Sequence, residues 1–132
     1  MLYTKETMRA FGIFLTFVFA FAGCTSQDNG VKTLKQASLS SKLQEENVVL
    51  IDVRTTAEVA SGYIPETRFF LDVNHAEFDQ QISELDTSKI YIMYCRSGAR
   101  SSRAANQLMT KGVKNVYNLD GGILSYRGKL RQ

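Results

Sequence analysis

One thiol stands in a setting that suits chemistry. Cys95 ends the apolar run Ile90-Tyr91-Ile92-Met93-Tyr94 and is followed by Arg96, Ser97, Gly98, Ala99, Arg100 and Ser101. Small residues here suit a tight strand-to-helix turn, whose successive N–H groups point inward and form an anion-binding nest. The helix expected next adds the positive end of its dipole. Each of these dipoles favours a thiolate over a thiol, and Arg96, Arg100 and Arg103 add positive charge nearby. A thiol that is already ionised needs no histidine as its base. That fits a chain whose single histidine, His75, falls at the start of an expected helix, where a surface position accounts for it. The chemistry favoured is thiolate attack on an electrophilic sulfur or phosphorus of an anionic donor. The competing reading is a cysteine buried for packing, which gives no reason to collect arginines and a glycine around it.

The counts narrow the field. A chain of 132 residues suits one domain, not two packed catalytic domains. Two cysteines permit at most one disulfide, which excludes a disulfide-stapled mini-protein. Two cysteines and one histidine cannot build an ordinary structural zinc site. The reading therefore assigns neither metal nor cofactor. A net charge of +3, with no Lys/Arg run to concentrate it, does not argue for nucleic acid.

The chain divides in two. Residues 11–22 read FGIFLTFVFAFA, hold five of the eight phenylalanines and carry no charge. Lys5 and Arg9 precede the run, and Ala22, Gly23 and Cys24 follow it. A basic start, a short apolar run and small residues at its end describe a secretory signal. The run is too short to span a bilayer, which takes about 20 residues. Phe21-Ala22-Gly23-Cys24 resembles the bacterial lipobox. That resemblance implies a signal peptide over residues 1–23, a lipid on Cys24, a flexible tether over residues 24–30 and a place on the bacterial cell envelope. The residue after Cys24 is Thr25 rather than Asp, which by the same resemblance favours the outer membrane of a Gram-negative cell. Removing residues 1–23 takes away Lys5, Glu6 and Arg9, lowers the net charge to +2 and leaves Cys95 as the free thiol.

The rest, residues 31–132, alternates. Ser38 to Glu46 is expected as a helix with Leu39 and Leu43 on one face. Val48 to Ile51 is a continuous apolar strand, as for a strand covered on both faces. Thr55 to Ser61 is a helix ended by Gly62, and Arg68 to Leu71 a strand. Ala76 to Leu85 is a helix, Ile90 to Tyr94 a strand, and Arg100 to Lys111 a helix stopped by Gly112. Asn115 to Asn118 is a further strand, and Gly121-Gly122 opens a last helical turn. Strict alternation predicts an α/β fold with a central parallel sheet of about five strands and helices on both faces. Ligands in such sheets bind beyond the carboxyl ends of the strands. That directs attention to Asp52, Arg54, Asp72, the Cys95–Ser101 loop, Asp120, Gly121 and Gly122.

Those segments carry a resemblance. Cys95-Arg96-Ser97-Gly98-Ala99-Arg100-Ser101 is similar to the active loop of the rhodanese family of sulfurtransferases. Leu50-Ile51-Asp52-Val53-Arg54, then Glu58, Gly62 and Ile64-Pro65, resemble the family's first signature, and Asn115 to Ile123 its closing one. The resemblance implies a rhodanese-like fold and a double displacement. In it, Cys95 takes a sulfane sulfur from a small anionic donor such as thiosulfate and passes it to cyanide or a thiol, including a protein thiol. Backbone N–H groups from Arg96 through Ser101 are expected to hold the persulfide, with Arg96 and Arg100 attracting the donor. Asp52 and Arg54 are expected to tie the first signature to the loop by ion pairing. Gly121 and Gly122 are expected to allow close packing, and Asp120 to act as a cap. Related dual-specificity phosphatases carry one more residue between the Cys and the Arg, so the loop here has the sulfur-transfer length. A sulfur carrier or redox partner, and a non-catalytic anion- or protein-binding module, remain open on the same fold. Oligomeric state is not readable.

Overall fold

The computed structural model describes residues 30–132; the signal, lipidation and tether assignments on residues 1–29 lie outside the described residues. Five strands form one sheet: β1 Lys32–Leu34, β2 Val48–Asp52, β3 Thr67–Phe70, β4 Ile90–Tyr94 and β5 Asn115–Leu119. Their order is β1-β5-β4-β2-β3 and every pairing is parallel. The α/β class and the five-stranded parallel sheet are as the alternation predicts. The helices are α1 Leu39–Lys42, α2 Thr56–Ala60, α3 Phe78–Ser83 and α4 Ala99–Thr110, with 3-10 turns at Gln36–Ser38 and Gly122–Ser125.

Two apolar layers sandwich the sheet. Ile51, Val53, Tyr91, Met93 and Cys95 pack against Phe78 and Ile82 of α3 and Ala104, Ala105 and Leu108 of α4. On the other face Leu50, Ile92, Tyr94 and Leu119 pack against Leu39 of α1 and Ile64, with Ile123 and Tyr126 alongside. Alternate residues of β2 and β4 serve opposite faces, so a central strand covered on both sides reads as an unbroken apolar run.

Three elements differ from expectation for physical reasons. β1 is not among the expected strands; it has three residues, only Leu34 of them buried, and pairs with β5 through Lys32–Tyr117 to Leu34–Leu119. The helix expected over Ser38 to Glu46 is a 3-10 turn plus the four-residue α1, and the chain then turns at Asn47, which adopts φ 65°. Helix α3 is shorter at both ends than Ala76 to Leu85, with Phe78 and Ile82 supplying its buried face.

Candidate active site

β4 delivers Cys95 to the carboxyl edge of the sheet, between its neighbours β2 and β5. The turn into α4 runs through Gly98, whose φ of 106° is a conformation that disfavours residues with a Cβ. This twist directs the Gly98 N–H at Cys95 Sγ, 3.1 Å away. Ser101, in the first turn of the twelve-residue α4, places its hydroxyl 3.4 Å from the same sulfur. Its oxygen also lies 2.6 Å from Asn118 Oδ1 and 3.2 Å from the Gly98 carbonyl, and its one proton serves one acceptor at a time. Asn118 Nδ2 donates to the Gly98 carbonyl at 3.1 Å, so β5 braces the turn.

Two effects compete at the thiol. Burial pushes it up from its ordinary 9.0, since Cys95 is only 1 % exposed. Hydrogen bonds from the Ser101 hydroxyl and from the N–H groups of Ser101, Gly98 and Ser97 outweigh burial, and the net shift is downward. A thiolate held by converging N–H donors at a helix N-terminus is a nucleophile that needs no neighbouring base. His75 is exposed and uses Nδ1 to accept the Glu77 N–H at 3.3 Å, apart from this chemistry.

The back of the loop is held by the closing turn. Ile123 N–H donates to the Cys95 carbonyl at 2.9 Å and Leu124 N–H to the Arg96 carbonyl at 3.1 Å. With both carbonyls turned to this side, the loop's later N–H groups face the sulfur. Gly122 makes the approach possible: a Cβ there would lie 2.5 Å from the Cys95 carbonyl oxygen and 2.6 Å from that of Arg96. Gly121 and Gly122 also have φ of 70° and 56°. Asp120 provides no side-chain cap to this turn; its backbone instead bonds Leu34 and Gln36.

Asp52 and Arg54 are a closed pair, but they tie different segments from those expected. Arg54 Nε lies 2.9 and 3.0 Å from the two Asp52 carboxylate oxygens and Nη2 lies 2.6 Å from Oδ2. Arg54 then reaches the carbonyls of Gly62 at 2.8 Å and Glu58 at 3.3 Å. Both residues are buried, and the pair secures the end of β2 to α2, not to the cysteine loop. The tie to the loop comes from Glu58. Its carboxylate receives Arg100 Nη1 at 2.8 Å and Nη2 at 2.6 Å. Arg100, expected with Arg96 to attract the donor, is paired with Glu58. Arg96 and Arg103 are exposed, as are Ser97 and Ala99.

The structure thus gathers Gly98 and Ser101 around the Cys95 sulfur, with Gly122 against the back of the loop, an exposed Arg96 beside it and the Asp52–Arg54 pair at the end of β2. Sequence reasoning missed the roles of Asn118 and Glu58. An asparagine between Tyr117 and the buried Leu119, inside the closing strand, was the available signal for Asn118. Glu58 lies 42 residues from its partner, beyond the reach of local pattern. A cavity of about 380 Å³ lies elsewhere, lined by residues including Gln36, Leu39, Leu43, Glu66 and Tyr126. It holds no thiol among its lining residues, so the Cys95 thiol and its donors, not the enclosed volume, mark the site.

A doubly covered parallel sheet that presents a thiol in a nest of N–H donors defines a class of thiol-centred anion-cradle domains. The chain belongs to the rhodanese-like domain family, whose model matches residues 35–129. It is 39 % identical over 97 residues to a sulfurtransferase of Allochromatium vinosum, covering 73 % of this chain and 88 % of that one. It is 33 % identical over 102 residues to a putative sulfurtransferase of Bacillus subtilis, covering 76 % of this chain and 95 % of that one. The same domain also forms part of larger proteins: a tRNA uridine(34) hydroxylase of Prochlorococcus marinus is 33 % identical over 108 residues, which make up 34 % of its length. Among solved structures, a rhodanese-like domain protein from Staphylococcus aureus superposes with a TM-score of 0.67 at 26 % identity, covering 76 % of this chain and 97 % of that one. A Staphylococcus saprophyticus structure gives the same TM-score at 26 % identity, covering 77 % of this chain and 100 % of that one.

Proposed function

We propose that this protein is a sulfurtransferase of the thiosulfate type that works through a persulfide on Cys95. The observation that carries the reading is the Cys95 sulfur itself, hydrogen-bonded by the Gly98 N–H and the Ser101 hydroxyl and shifted toward the thiolate. In the first step the thiolate attacks the outer sulfur of thiosulfate. The S–S bond of the donor breaks, its electron pair leaves with sulfite, and a new S–S bond forms on Cys95. In the second step cyanide or a thiolate attacks the outer sulfur of the persulfide, and the pair of the breaking S–S bond returns to Cys95. No net oxidant or reductant enters. The N–H groups that hold the thiolate are placed to hold the negative outer sulfur between the two steps. Arg96, exposed at the rim, supplies the attracting charge.

The test is turnover of residues 30–132 with thiosulfate and cyanide, followed as thiocyanate. Release that disappears in Cys95→Ala supports the reading. Sulfur loading without cyanide turnover would make the protein a carrier that discharges to a particular protein thiol. Absence of loading would leave only the binding-module reading.

The domain is further proposed to be held at the bacterial envelope by lipid on Cys24, on the strength of the uncharged run 11–22 and the small residues before Cys24. Two or more acyl chains give stable attachment where one gives only weak binding. Expression of the full chain in bacteria with a labelled fatty acid tests this: label on the wild type and none on Cys24→Ala is expected. Equal label on both, or none on either, contradicts it.

A further inference from the structure

The cations around the loop are not equal. Arg96 is exposed, while Arg100 commits both terminal nitrogens to Glu58. Glu58 is no chance surface partner. It closes a capping box at the start of α2, where Thr55 donates its N–H at 3.1 Å and its hydroxyl at 3.0 Å to Oε2. Its backbone carbonyl receives Arg54. The Arg100 hydrogen bonds hold the carboxyl down at about 2, so it is charged throughout the neutral range. Asp72 and the Cys95 thiolate also act on the Arg100 charge. One guanidinium therefore answers three anions before a donor arrives.

We infer that Glu58 is a specificity-determining positioning residue: by neutralising Arg100 it weights the Cys95 loop toward monoanionic sulfur donors over dianions such as thiosulfate, which it still turns over. The inference rests on the sulfur-transfer reading and names its substrate class. A donor's first negative charge meets Arg96 and the loop N–H groups. A second meets an Arg100 whose charge Glu58 has already answered. At the effective dielectric of a protein surface, a unit charge about one Debye length (roughly 8 Å) from a bound donor, screened by salt, changes binding by roughly three- to fourfold.

Thiosulfonates isolate this variable. Benzenethiosulfonate carries one negative charge and the same kind of scissile S–S bond as thiosulfate. Attack by Cys95 breaks that bond, sulfinate leaves with the electron pair, and the same persulfide forms. The ratio of kcat/KM for the two donors, with cyanide as acceptor, is measured for the full chain and for its Glu58→Gln variant. Glutamine serves a capping box as well as glutamate does, so the variant keeps the fold.

The wild type is expected to favour benzenethiosulfonate. In Glu58→Gln the ratio shifts toward thiosulfate by about three- to fourfold, through a lower KM for thiosulfate rather than through kcat. Adding Arg100→Gln abolishes the gain, because the freed cation is its source. A second readout needs no donor: the thiolate absorbance of Cys95 titrates at lower pH in Glu58→Gln. An unchanged donor ratio, or equal losses for both donors with a lower melting temperature, overturns the inference and leaves Glu58 a structural residue. If neither donor places sulfur on Cys95 in the wild type, the sulfur-transfer reading fails first, and the result is distinct from the others.

Discussion

Replacing Gly122 by alanine tests how the loop is built. The added Cβ would sit 2.5 Å from the Cys95 carbonyl oxygen, 2.6 Å from that of Arg96 and 2.7 Å from the Arg96 carbonyl carbon. All three are backbone atoms, so no side chain can rotate away. Reaching even 3.0 Å requires the loop and the closing turn to part by at least 0.5 Å. Alanine at φ 56° adds roughly 1–2 kcal/mol of backbone strain. Overlap in a packed region adds about 1–3 kcal/mol. The expected loss is about 2–5 kcal/mol in urea unfolding, or roughly 10–25 °C in Tm. The parting also strains the Ile123–Cys95 and Leu124–Arg96 hydrogen bonds that fix the loop carbonyls. Because misplacing reactive groups by about 1 Å costs on the order of 10²-fold, thiocyanate release should fall at least about tenfold at temperatures where the variant remains folded. Gly112→Ala is the control. It has φ 94° but its Cβ would meet only Thr87 Cγ2, at 3.8 Å, far from the thiol. It should lose about 1 kcal/mol and keep its rate. Wild-type turnover in folded Gly122→Ala would refute the idea that the closing turn shapes the cradle.

Three further outcomes follow from the same contacts. Ser101→Ala removes the first of the hydrogen bonds that oppose burial at Cys95, so the thiol pKa rises. The reactive form is the thiolate, whose rate is lost as pH falls through that pKa; the acid limb of the kcat/KM profile should therefore move to higher pH. An unmoved limb would show that Ser101 does not tune the thiol. Asp52→Ala strands the buried Arg54 charge and should destabilise the domain by about 3–5 kcal/mol in urea unfolding. A loss below about 1 kcal/mol would mean that Arg54 finds other partners. Glu58 is held down from 4.5 to about 2, so its contribution is complete above 4.5 and is lost as pH falls toward 2. Linkage bounds that contribution at about 3 kcal/mol, and screening of a pair some 20–30 % exposed reduces it to about 1–2 kcal/mol. Acid unfolding of Glu58→Gln should lack this part of the pH dependence.

Local pattern and burial explain which features the sequence carried. β2 and β4 are buried on both faces, so each stands out as an unbroken apolar run, and the thiol at the end of β4 is placed by that run. The loop residues were legible because a turn of small residues next to a helix start has few other conformations. Gly98 shows the dependence, since its φ of 106° is what turns its N–H to the sulfur. β1 was not legible, because an edge strand of three residues with one buried side chain carries almost no pattern. Nor was the pairing of Arg100, since charge type says nothing about which of several carboxylates a guanidinium meets. Asp52 and Arg54 were expected to form ion pairs that tie the first signature to the loop, and instead pair with each other. The carbonyls that Arg54 reaches, at Glu58 and Gly62, are set by the path of the chain around α2.

The central claim is that Cys95 carries sulfur. Its most direct test is the intact mass of residues 30–132 after incubation with thiosulfate and removal of excess donor, with the modified residue located by peptide fragmentation. The account predicts the mass of one added sulfur atom on Cys95, discharged by cyanide as thiocyanate and absent from Cys95→Ala. An unchanged mass, or an adduct that persists in Cys95→Ala, would contradict it.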